Sequence, residues 1–318
     1  MAYRPRGRKG DFFPKVNTWA KLSGGSPTLL GLPAVKVNTI HTITLDDREK
    51  TPNFGKPLFN PTSVLAVPDT VVAGLRVYTH ESGGDRVLDE VYAKTLPKGV
   101  KKKTGVTPEK FAEEWKGKLA KITRLAAVVV ITPRDAGLTQ KQPIIFEVGV
   151  GGGDTKAQFD YTLGLLGKPL KFSEVFKAGS YVDVVGITKG KGFEGPVTRF
   201  GVKRKQHKSR KSVRAVGVIG PWHPAAVMYT IARAGQMGFH QRTETGKRIL
   251  SISGKDTPIT PPGGFEHFGI MRSDYALIRG TVPGSNRRIV VVRHPVKPVL
   301  RKTTPVQVLE VSTRTAVR

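Results

Sequence analysis

The sequence predicts a mainly β fold that carries an α+β insert, and three observations lead to this prediction. Short apolar runs separated by proline and glycine occur toward both ends of the chain, a pattern typical of closed β structures. Between them, a stretch of about a hundred residues mixes helical and strand patterns, which is enough for a small domain. The third observation is a run of cations from Lys189 to Arg248 with little apolar periodicity. The predicted architecture is a β-barrel with a long basic N-terminal arm and a central basic extension.

The first segment, residues 1–28, is predicted to be the arm. Residues 1–21 contain six cations and one acid, Asp11, with glycine and proline between them, and they have neither a helical nor a strand period. Such a segment buries too little apolar surface to fold alone, so we expect it to order only on a partner. Its candidate binding residues are Arg4, Arg6, Arg8 and Lys9.

The barrel is predicted from two separated segments, residues 29–75 and 179–318. In the first, proline interrupts the apolar runs repeatedly, which indicates short strands and turns. The interrupting residues are Pro33, Pro52, Pro57, Pro61 and Pro68. The strand signals of the second segment are Tyr181–Thr188, Ile249–Ser253, Tyr275–Ile278, Ile289–Arg293 and Val306–Val311. Their length and spacing favour a barrel over a parallel sheet.

Residues 76–178 are predicted to form the α+β insert, whose charge is close to that of an ordinary soluble surface. Thr107, Pro108 and Glu109 are typical of a helix start, and Phe111, Trp115, Leu119 and Ile122 follow at helical spacing. Residues 125–131 and 143–150 have the apolar content of buried strands, and residues 170–176 allow a short helix. Trp115 is therefore assigned to the core.

The composition limits the possible functions. The chain has 318 residues, 53 Lys and Arg against 24 Asp and Glu, and a net charge of +29, which normally implies a polyanionic partner. No apolar run reaches the roughly 20 residues that span a bilayer, and residues 1–10 do not lead into the apolar stretch of a signal peptide. We therefore expect a cytoplasmic protein that has no membrane partner.

Metal and catalytic sites find little support in the sequence. Cysteine is absent, and the seven histidines are scattered, so neither disulfides nor a zinc site is expected. Gly190–Gly195 has the spacing of a dinucleotide fingerprint, but Pro196 and a run of cations follow where a helix should begin. Gly149–Gly153 lacks the ending of a phosphate-binding loop and is interpreted as a turn. Asp46, Asp47 and Glu49 form an acid cluster, interpreted as a solvated turn. No activated nucleophile is evident, so no catalytic residue and no cofactor are expected.

The segment from Lys189 to Arg248 carries the strongest signal for binding. It holds fourteen cations and two acids, a density that suits phosphate groups and affinity from counterion release. A disordered solubilising loop is the plainer alternative. The candidate RNA-binding residues of this segment are Lys189, Lys191, Arg199, Lys203, Arg204, Lys205, His207, Lys208, Arg210, Lys211, Arg214, Trp222, His223, Arg233, Gln236, His240, Arg242, Lys247 and Arg248.

The uncharged residues of the segment favour RNA. Trp222 lies between prolines in Gly220–Pro224 and can stack on a base for roughly 1 to 3 kcal/mol. The glycines around Gln236 would let the backbone approach RNA closely, although a plain reverse turn is also possible. If residues 196–245 run out and back as an extended hairpin, this finger reaches at most roughly 80 Å.

At these residues the chain resembles a known family. Residues 189–195 with 199–201, residues 219–225, and residues 233–244 followed by Lys247 and Arg248 closely resemble the L-three family of large-subunit ribosomal proteins, in its archaeal and eukaryotic branch. The likeness extends to residues 3–7, Lys36, His41, residues 263–269 and residues 281–284. Phe200 and Phe239 stand where the family often has Trp and Tyr, and Thr245–Gly246 replaces an aromatic–Asn pair.

The resemblance implies a translation-protein-type barrel whose arm and finger are buried in ribosomal RNA. Trp222 would then lie near the peptidyl transferase centre, on the side of the aminoacyl-tRNA. The implied partners are large-subunit rRNA, neighbouring ribosomal proteins and, indirectly, tRNA, with no homo-oligomer. Structural Mg²⁺ would be held by the RNA. His207 matches a histidine that is methylated in some relatives.

Two other classes share part of this pattern. A non-ribosomal basic nucleic-acid-binding protein, such as a chromatin protein, would have the charge but would not need a finger ending in tryptophan. An RNA-modifying enzyme would also bind RNA, but it should show a cofactor loop or an activated acid and base.

Overall fold

The computed structural model describes residues 6–22, 24–100, 105–209, 212–257, 259–299 and 303–312. Backbone contacts divide the chain into two compact units. The loop unit comprises Met1–Phe12 and Ile187–Arg242, and the core unit comprises Phe13–Gly186 and Thr243–Arg318. Three of the candidate RNA-binding residues, Arg4, Arg210 and Lys211, lie outside the described residues.

The described residues form fifteen strands and four α-helices. The strands are β1 Thr28–Leu29, β2 Gly31–Leu45, β3 Pro57–Ala66, β4 Thr70–Glu81, β5 Gly84–Tyr92, β6 Arg124–Ile131, β7 Ile144–Gly151, β8 Pro169–Leu170, β9 Tyr181–Ile187, β10 Gly190–Glu194, β11 Gly235–Gly238, β12 Gln241–Ser253, β13 Tyr275–Arg279, β14 Ile289–Arg293 and β15 Val308–Ser312. The α-helices are α1 Pro108–Lys116, α2 Thr155–Leu165, α3 Phe172–Val175 and α4 Pro196–Phe200, and single 3₁₀ turns occupy Leu119–Lys121 and Pro133–Ala136. The mainly β prediction is confirmed.

Six strands of the core unit pair in a ring. One sheet runs in the order β14, β9, β12, β13, β3 and β2, and β2 pairs again with β14, so the ladder returns to its first strand. The length of β2 makes this possible, because Gly31–Val35 pair with β14 while His41–Thr44 pair with β15. Val184, Ile278 and Val290 are fully buried, as expected where a closed sheet encloses packed side chains.

The strands between residues 29 and 77 are longer than predicted, because β2 continues through Pro33 and β3 continues through Pro61. Pro33 pairs with Val291 of β14, while β3 joins β2 only from Val35 onward. Pro61 pairs with His41 of β2, while β13 joins β3 only from Thr62. Each proline therefore has a strand ladder on one side only, a position in which its missing N–H is tolerated.

The second sheet of the core unit is antiparallel and open, in the order β1, β7, β6, β4 and β5, with β8 paired to β4. Helix α2 packs on its strands β4, β6 and β7, and α1 packs beside β5. The rings of Phe111 on α1 and Phe159 on α2 are stacked, with centroids 6.0 Å apart. The predicted start of helix α1 and the predicted burial of Trp115 are confirmed, but α1 ends at Lys116, so Leu119 and Ile122 lie beyond it. Trp115 Nε1 donates to Asp89 Oδ2 at 3.1 Å.

The sequence analysis missed strands β5 and β8 and helix α2 of the core unit. Strand β5 and helix α2 had no clear periodic signal, and α2 buries only Phe159 and Thr162. The turn expected at Gly149–Gly153 is present only in the last two residues of that range. Gly152 and Gly153 have positive φ and lie between β7 and α2. The expectation that no helix begins at Pro196 is wrong, because α4 begins there, although it has only five residues.

Part of the predicted arm packs within the core unit. Phe13, Val16 and Trp19 pack against the hydrophobic core, and Ala20 is buried. A Cβ on Gly31 or Gly149 would come within 2.8 Å of the Trp19 ring, so the indole lies directly on both backbones. The expectation that the whole arm orders only on a partner is therefore wrong for residues 13–20.

Within the described ranges, no helix is both long enough and apolar enough to cross a membrane.

Candidate nucleic-acid interface

The loop unit lacks a hydrophobic core. Across residues 188–209 and 212–242, no described side chain is buried. Large apolar side chains are instead open to solvent, among them Trp222 at 88% exposure, Phe193 at 79% and Val218 at 75%. Internal burial of apolar surface therefore contributes little to ordering this segment, and its fixed geometry rests on a few polar and aromatic contacts near its base.

A short ribbon forms the base of the loop unit. Strands β10 and β11 pair antiparallel, with Phe193 opposite Gln236 and Gly190 opposite Gly238. Gly238 has a φ of +73°, and a Cβ there would collide with the carbonyl oxygen of Lys189. A Cβ on Gly235 would lie 2.7 Å from Arg199 Nη1. Gly238 is thus required by a backbone contact within the chain, whereas a side chain at Gly235 would only displace the end of Arg199.

Arg199 joins α4 to the returning chain. Its Nε donates to the carbonyl oxygen of Gln236 at 3.1 Å, and its Nη1 donates to that of Arg233 at 3.0 Å. The guanidinium also lies 5.0 Å from the centre of the Phe200 ring, and the guanidinium of Arg6 lies 5.1 Å from it. Arg199 therefore has a positioning role that the sequence did not reveal.

Residues 6–12 contact the two residues that directly follow the ribbon, Phe239 and His240. His240 Nδ1 donates to the carbonyl oxygen of Gly7 at 3.0 Å, which places the proton on Nδ1 and leaves Nε2 as an acceptor in the neutral ring. The backbone N–H of Lys9 donates to the Phe239 carbonyl oxygen at 2.9 Å. The rings of Phe12 and Phe239 meet edge to face at 5.4 Å. These contacts bring the cations of the arm next to those of the loop.

The result is a groove of about 340 Å³ whose lining includes five cations and no acid. It is lined by Arg6, Thr188, Lys189, Lys191, Arg199, Gln236, Met237, Gly238, His240 and Arg242. Gln236 Nε2 donates to the carbonyl oxygen of Gly238 at 3.1 Å, so its amide nitrogen is already engaged. A groove of this charge attracts anionic groups and suits the phosphates of a nucleic acid.

Beyond the ribbon the chain is irregular. Between Gly201 and Ala234 the described residues contain neither helix nor strand, so the outgoing and returning chains are not paired as strands there. Lys205 N donates to Val213 O at 3.1 Å, and Arg214 Nη2 donates to Thr198 Oγ1 at 3.2 Å. The exposed candidate residues here are Lys203, Arg204, His207, Lys208, Arg214, Trp222, His223 and Arg233.

Lys247 and Arg248 lie in the core unit and already have carboxylate partners. Lys247 Nζ is 2.6 Å from Glu244 Oε2. Arg248 is only 4% exposed and forms two hydrogen bonds to Asp47, at 2.9 Å to Oδ1 and 2.6 Å to Oδ2. Burial alone would lower the pKa of Arg248, but the Asp47 hydrogen bonds raise it above its ordinary value. These two candidate RNA-binding cations are thus already paired with acids of the chain.

The acid cluster is the solvated turn expected from the sequence only at Glu49, which is exposed, and not at Asp46. Asp46 is buried and receives Arg48 Nε at 2.8 Å and Nη2 at 2.7 Å, which holds the pKa of Asp46 well below its ordinary value. The hydrogen bonds from Arg248 similarly lower the pKa of Asp47. Within the described ranges, no group of three or more His, Asp or Glu side chains is arranged to hold a metal ion.

Comparison with known proteins gives a consistent result along the whole chain. The sequence profile of the family Ribosomal protein L3 matches residues 1–316. The chain is similar to the large ribosomal subunit protein uL3 of Caldivirga maquilingensis, with 42% identity over 94% of this chain and 89% of the relative. It is also similar to the uL3 of Pyrobaculum aerophilum, with 40% identity over 99% of this chain and 96% of the relative. The uL3 of Methanococcus vannielii is 38% identical over 94% of this chain and 90% of the relative. A match of this extent, on a chain with a basic loop and a mainly β core, shows that the chain belongs to the ribosomal protein L3 family.

Proposed function

We propose that this chain is a structural, non-catalytic constituent of the large ribosomal subunit and that it binds the RNA of that subunit in the cytoplasm. The observation that carries the proposal is the acid-free groove lined by five cations, in a unit whose described residues 188–209 and 212–242 include no buried side chain. Such a unit has little apolar burial to order it. Binding to a polyanion releases counterions, and the free energy of that binding would order the unit instead.

The groove and the loop would contact RNA in different ways. Lys189, Lys191 and Arg242 have exposed side chains suited to phosphates, whereas Arg199 uses two of its donors inside the chain and contributes mainly position and charge. Trp222, with its ring nearly perpendicular to that of His223, offers an open face for a base. His207 is exposed, as a modified residue would need to be.

We further propose a location for the loop in the large subunit. The six-stranded ring would be the translation-protein-type barrel, and the loop would extend from it into RNA with Trp222 near the peptidyl transferase centre. Incorporation of the chain would support early subunit assembly and influence aminoacyl-tRNA accommodation indirectly. Neighbouring ribosomal proteins would be further partners.

The test uses ribosomes assembled with Trp222→Ala, with Trp222→Phe as the control that keeps a ring. Trp222 is exposed, so both variants should fold and enter the subunit normally and remain bound in high salt. We expect slower tRNA accommodation for Trp222→Ala and near-normal accommodation for Trp222→Phe, since roughly 1 to 3 kcal/mol of stacking is lost only in the first. Accommodation unchanged in Trp222→Ala would refute the placement of the loop. Loss of the wild-type chain from the particle in high salt, together with a preference for duplex DNA, would instead indicate a non-ribosomal nucleic-acid-binding protein.

A further inference from the structure

A second cavity lies entirely within the core unit. Its volume is about 560 Å³, and its lining residues are Asp47, Arg48, Glu49, Tyr181, Gly246, Lys247, Arg248 and Arg279. The lining comes from the turn after β2, from β9, from β12 and from the end of β13. Four of the eight residues are cations, and two, Asp47 and Glu49, are acids.

Three of the four cations are neutralised by carboxylates of the chain. Arg48 is hydrogen-bonded twice to Asp46, and Arg248 twice to Asp47. Lys247 is paired with Glu244. These contacts are short and two of them are bidentate, the geometry in which a guanidinium is best satisfied. None of these three cations needs a further anion.

Arg279 is different. Its side chain is half-buried at the end of β13, and among the residues that the structure describes it has no carboxylate within ion-pair distance and no side-chain hydrogen bond. Burial lowers the pKa of Arg279, and the neighbouring charge of Arg48 lowers it further, while the charge of Asp46 offsets only part of this decrease. A partly desolvated guanidinium that has no carboxylate of its own is an unfavourable arrangement unless an anion from outside the chain approaches it.

We infer that Arg279 forms a second phosphate-binding site, which takes a backbone phosphate of RNA into the cavity between β9, β12 and β13. In this arrangement Arg279, rather than Lys247 or Arg248, makes the anion contact in this part of the chain. Arg48, Lys247 and Arg248 line the rest of the cavity, and their own carboxylates fix their positions. The inference rests on the proposed function, in that it takes RNA as the source of the phosphate.

The chemistry favours phosphate on an RNA strand. A guanidinium presents paired donors that match two oxygens of a phosphate, and a cavity of about 560 Å³ admits a group the size of a nucleotide. The chain as a whole carries a net charge of +29, which draws polyanions to its surface.

The first test measures affinity for a large-subunit rRNA fragment as a function of salt concentration, with the full-length chain. Arg279→Gln removes the charge, Arg279→Lys retains it, and Arg86→Gln is the matched control, since Arg86 lies on β5 with 72% of its side chain exposed. We expect Arg279→Gln to weaken binding about tenfold and to reduce the slope of log affinity against log salt by about one. Arg279→Lys should retain most of the slope. Equal slopes for Arg279→Gln and Arg86→Gln would overturn the assignment to RNA phosphate.

The second test separates an RNA phosphate from a free anion. Thermal unfolding is compared in sodium phosphate and in sodium chloride at equal ionic strength. We expect inorganic phosphate to raise the melting temperature of the wild type and of Arg86→Gln but not that of Arg279→Gln. Phosphate stabilisation that persists in Arg279→Gln would overturn the site itself. Arg279→Gln could lose the stabilisation by phosphate while the salt slope of its RNA binding stays unchanged. That result would assign the site to a free anion and overturn RNA as the source of the phosphate.

The two proposals fail in different ways. If the wild type shows no preference for large-subunit rRNA over an unrelated RNA, the proposed function fails. If that preference is present, but Arg279→Gln has the same salt slope and the same response to phosphate as Arg86→Gln, the second site fails. The proposed function then still stands.

Discussion

Asp183 on β9 accepts a hydrogen bond from the backbone N–H of Gly246 on β12, with an Oδ1–N distance of 3.1 Å. Its other oxygen accepts from Val296 N at 3.3 Å and from Arg293 Nη2 at 3.5 Å. Arg293 in turn donates to the carbonyl oxygen of Thr18. One carboxylate, only 2% exposed, therefore connects β12, the segment after β14 and the N-terminal segment inside the core unit.

Replacing Asp183 should strongly destabilise the core unit. Asp183→Ala leaves Arg293, which is 9% exposed, without its carboxylate, and breaking such a buried pair costs about 3 kcal/mol. Denaturant unfolding of the variant should show a corresponding decrease in the free energy of unfolding. The control Asp160→Ala removes an exposed carboxylate from α2 and should have little effect. Similar losses in both variants would show that Asp183 has no special role.

Gly238 should tolerate no side chain, whereas Gly192 should. Both have similar positive φ, +73° and +69°, but a Cβ on Gly238 collides with the Lys189 carbonyl while one on Gly192 has open space around it. Gly238→Ala should open the β10–β11 ribbon, seen as faster amide exchange at residues 235–240, and should weaken RNA binding. Gly192→Ala should cost only about 1 kcal/mol of backbone strain and keep the ribbon. Equal exchange rates in the two variants would contradict this explanation.

Arg199→Lys should separate the geometry of the loop unit from its charge. Lysine retains the positive charge but cannot bridge the carbonyls of Gln236 and Arg233 with one rigid group. We expect the salt dependence of RNA binding to stay the same while limited proteolysis of residues 201–234 becomes several-fold faster. Arg204→Lys is the control, because Arg204 is exposed and makes no side-chain hydrogen bond among the described contacts. Unchanged proteolysis in Arg199→Lys would refute the bridging role.

The pH dependence of stability should report the Asp47–Arg248 pair. The pKa of Asp47 is lower in the folded chain than in the unfolded chain, mainly because of its hydrogen bonds from Arg248. The pair therefore contributes fully above the unfolded pKa of about 4, and the contribution is lost as the pH falls through the lower, folded value. Asp47→Asn should lower the free energy of unfolding by about 2 kcal/mol at neutral pH. Its stability should also fall less steeply than that of the wild type as the pH decreases below about 4. An acid limb as steep as that of the wild type would exclude this pair as its source.

Shortening the loop should leave the core unit intact. Replacing residues 203–231 with a short Gly/Ser linker removes no buried side chain among the described residues, and it keeps Arg199, Arg233 and the ribbon. The melting temperature should therefore stay within a few degrees of the wild type, while incorporation into large subunits drops. A deletion of residues 196–245 is less informative, because it also removes β11 and part of β12. Normal incorporation of the shortened chain would contradict the proposed role of the loop.

The sequence was a good guide wherever the signal was local. Helix α1 follows from its start at Thr107 and Pro108 and from the spacing of Phe111 and Trp115, all within a few residues. Prolines misled because their effect depends on which side of a strand carries a ladder, a property of the assembled sheet. Pro33 is compatible with β2 only because β3 has not yet joined it there.

The roles of charged residues were harder to predict, because their partners are distant in sequence. Arg248 was grouped with the RNA-binding cations, yet its carboxylate partner Asp47 is 201 positions away. Arg279 stands alone in an apolar strand, so nothing in its sequence neighbourhood marks it as a cation without a partner. Net charge locates a basic segment, but only the fold shows which of its charges are already neutralised.

The absence of buried side chains from residues 188–209 and 212–242 has a consequence for genetics. Substitutions at the loop's exposed positions should pass every assay of expression, solubility and melting temperature, because the energy of the isolated chain hardly depends on them. Their effects should appear only in the assembled particle. Variants of this segment that look neutral in the purified protein are therefore the ones to examine first for defects in translation.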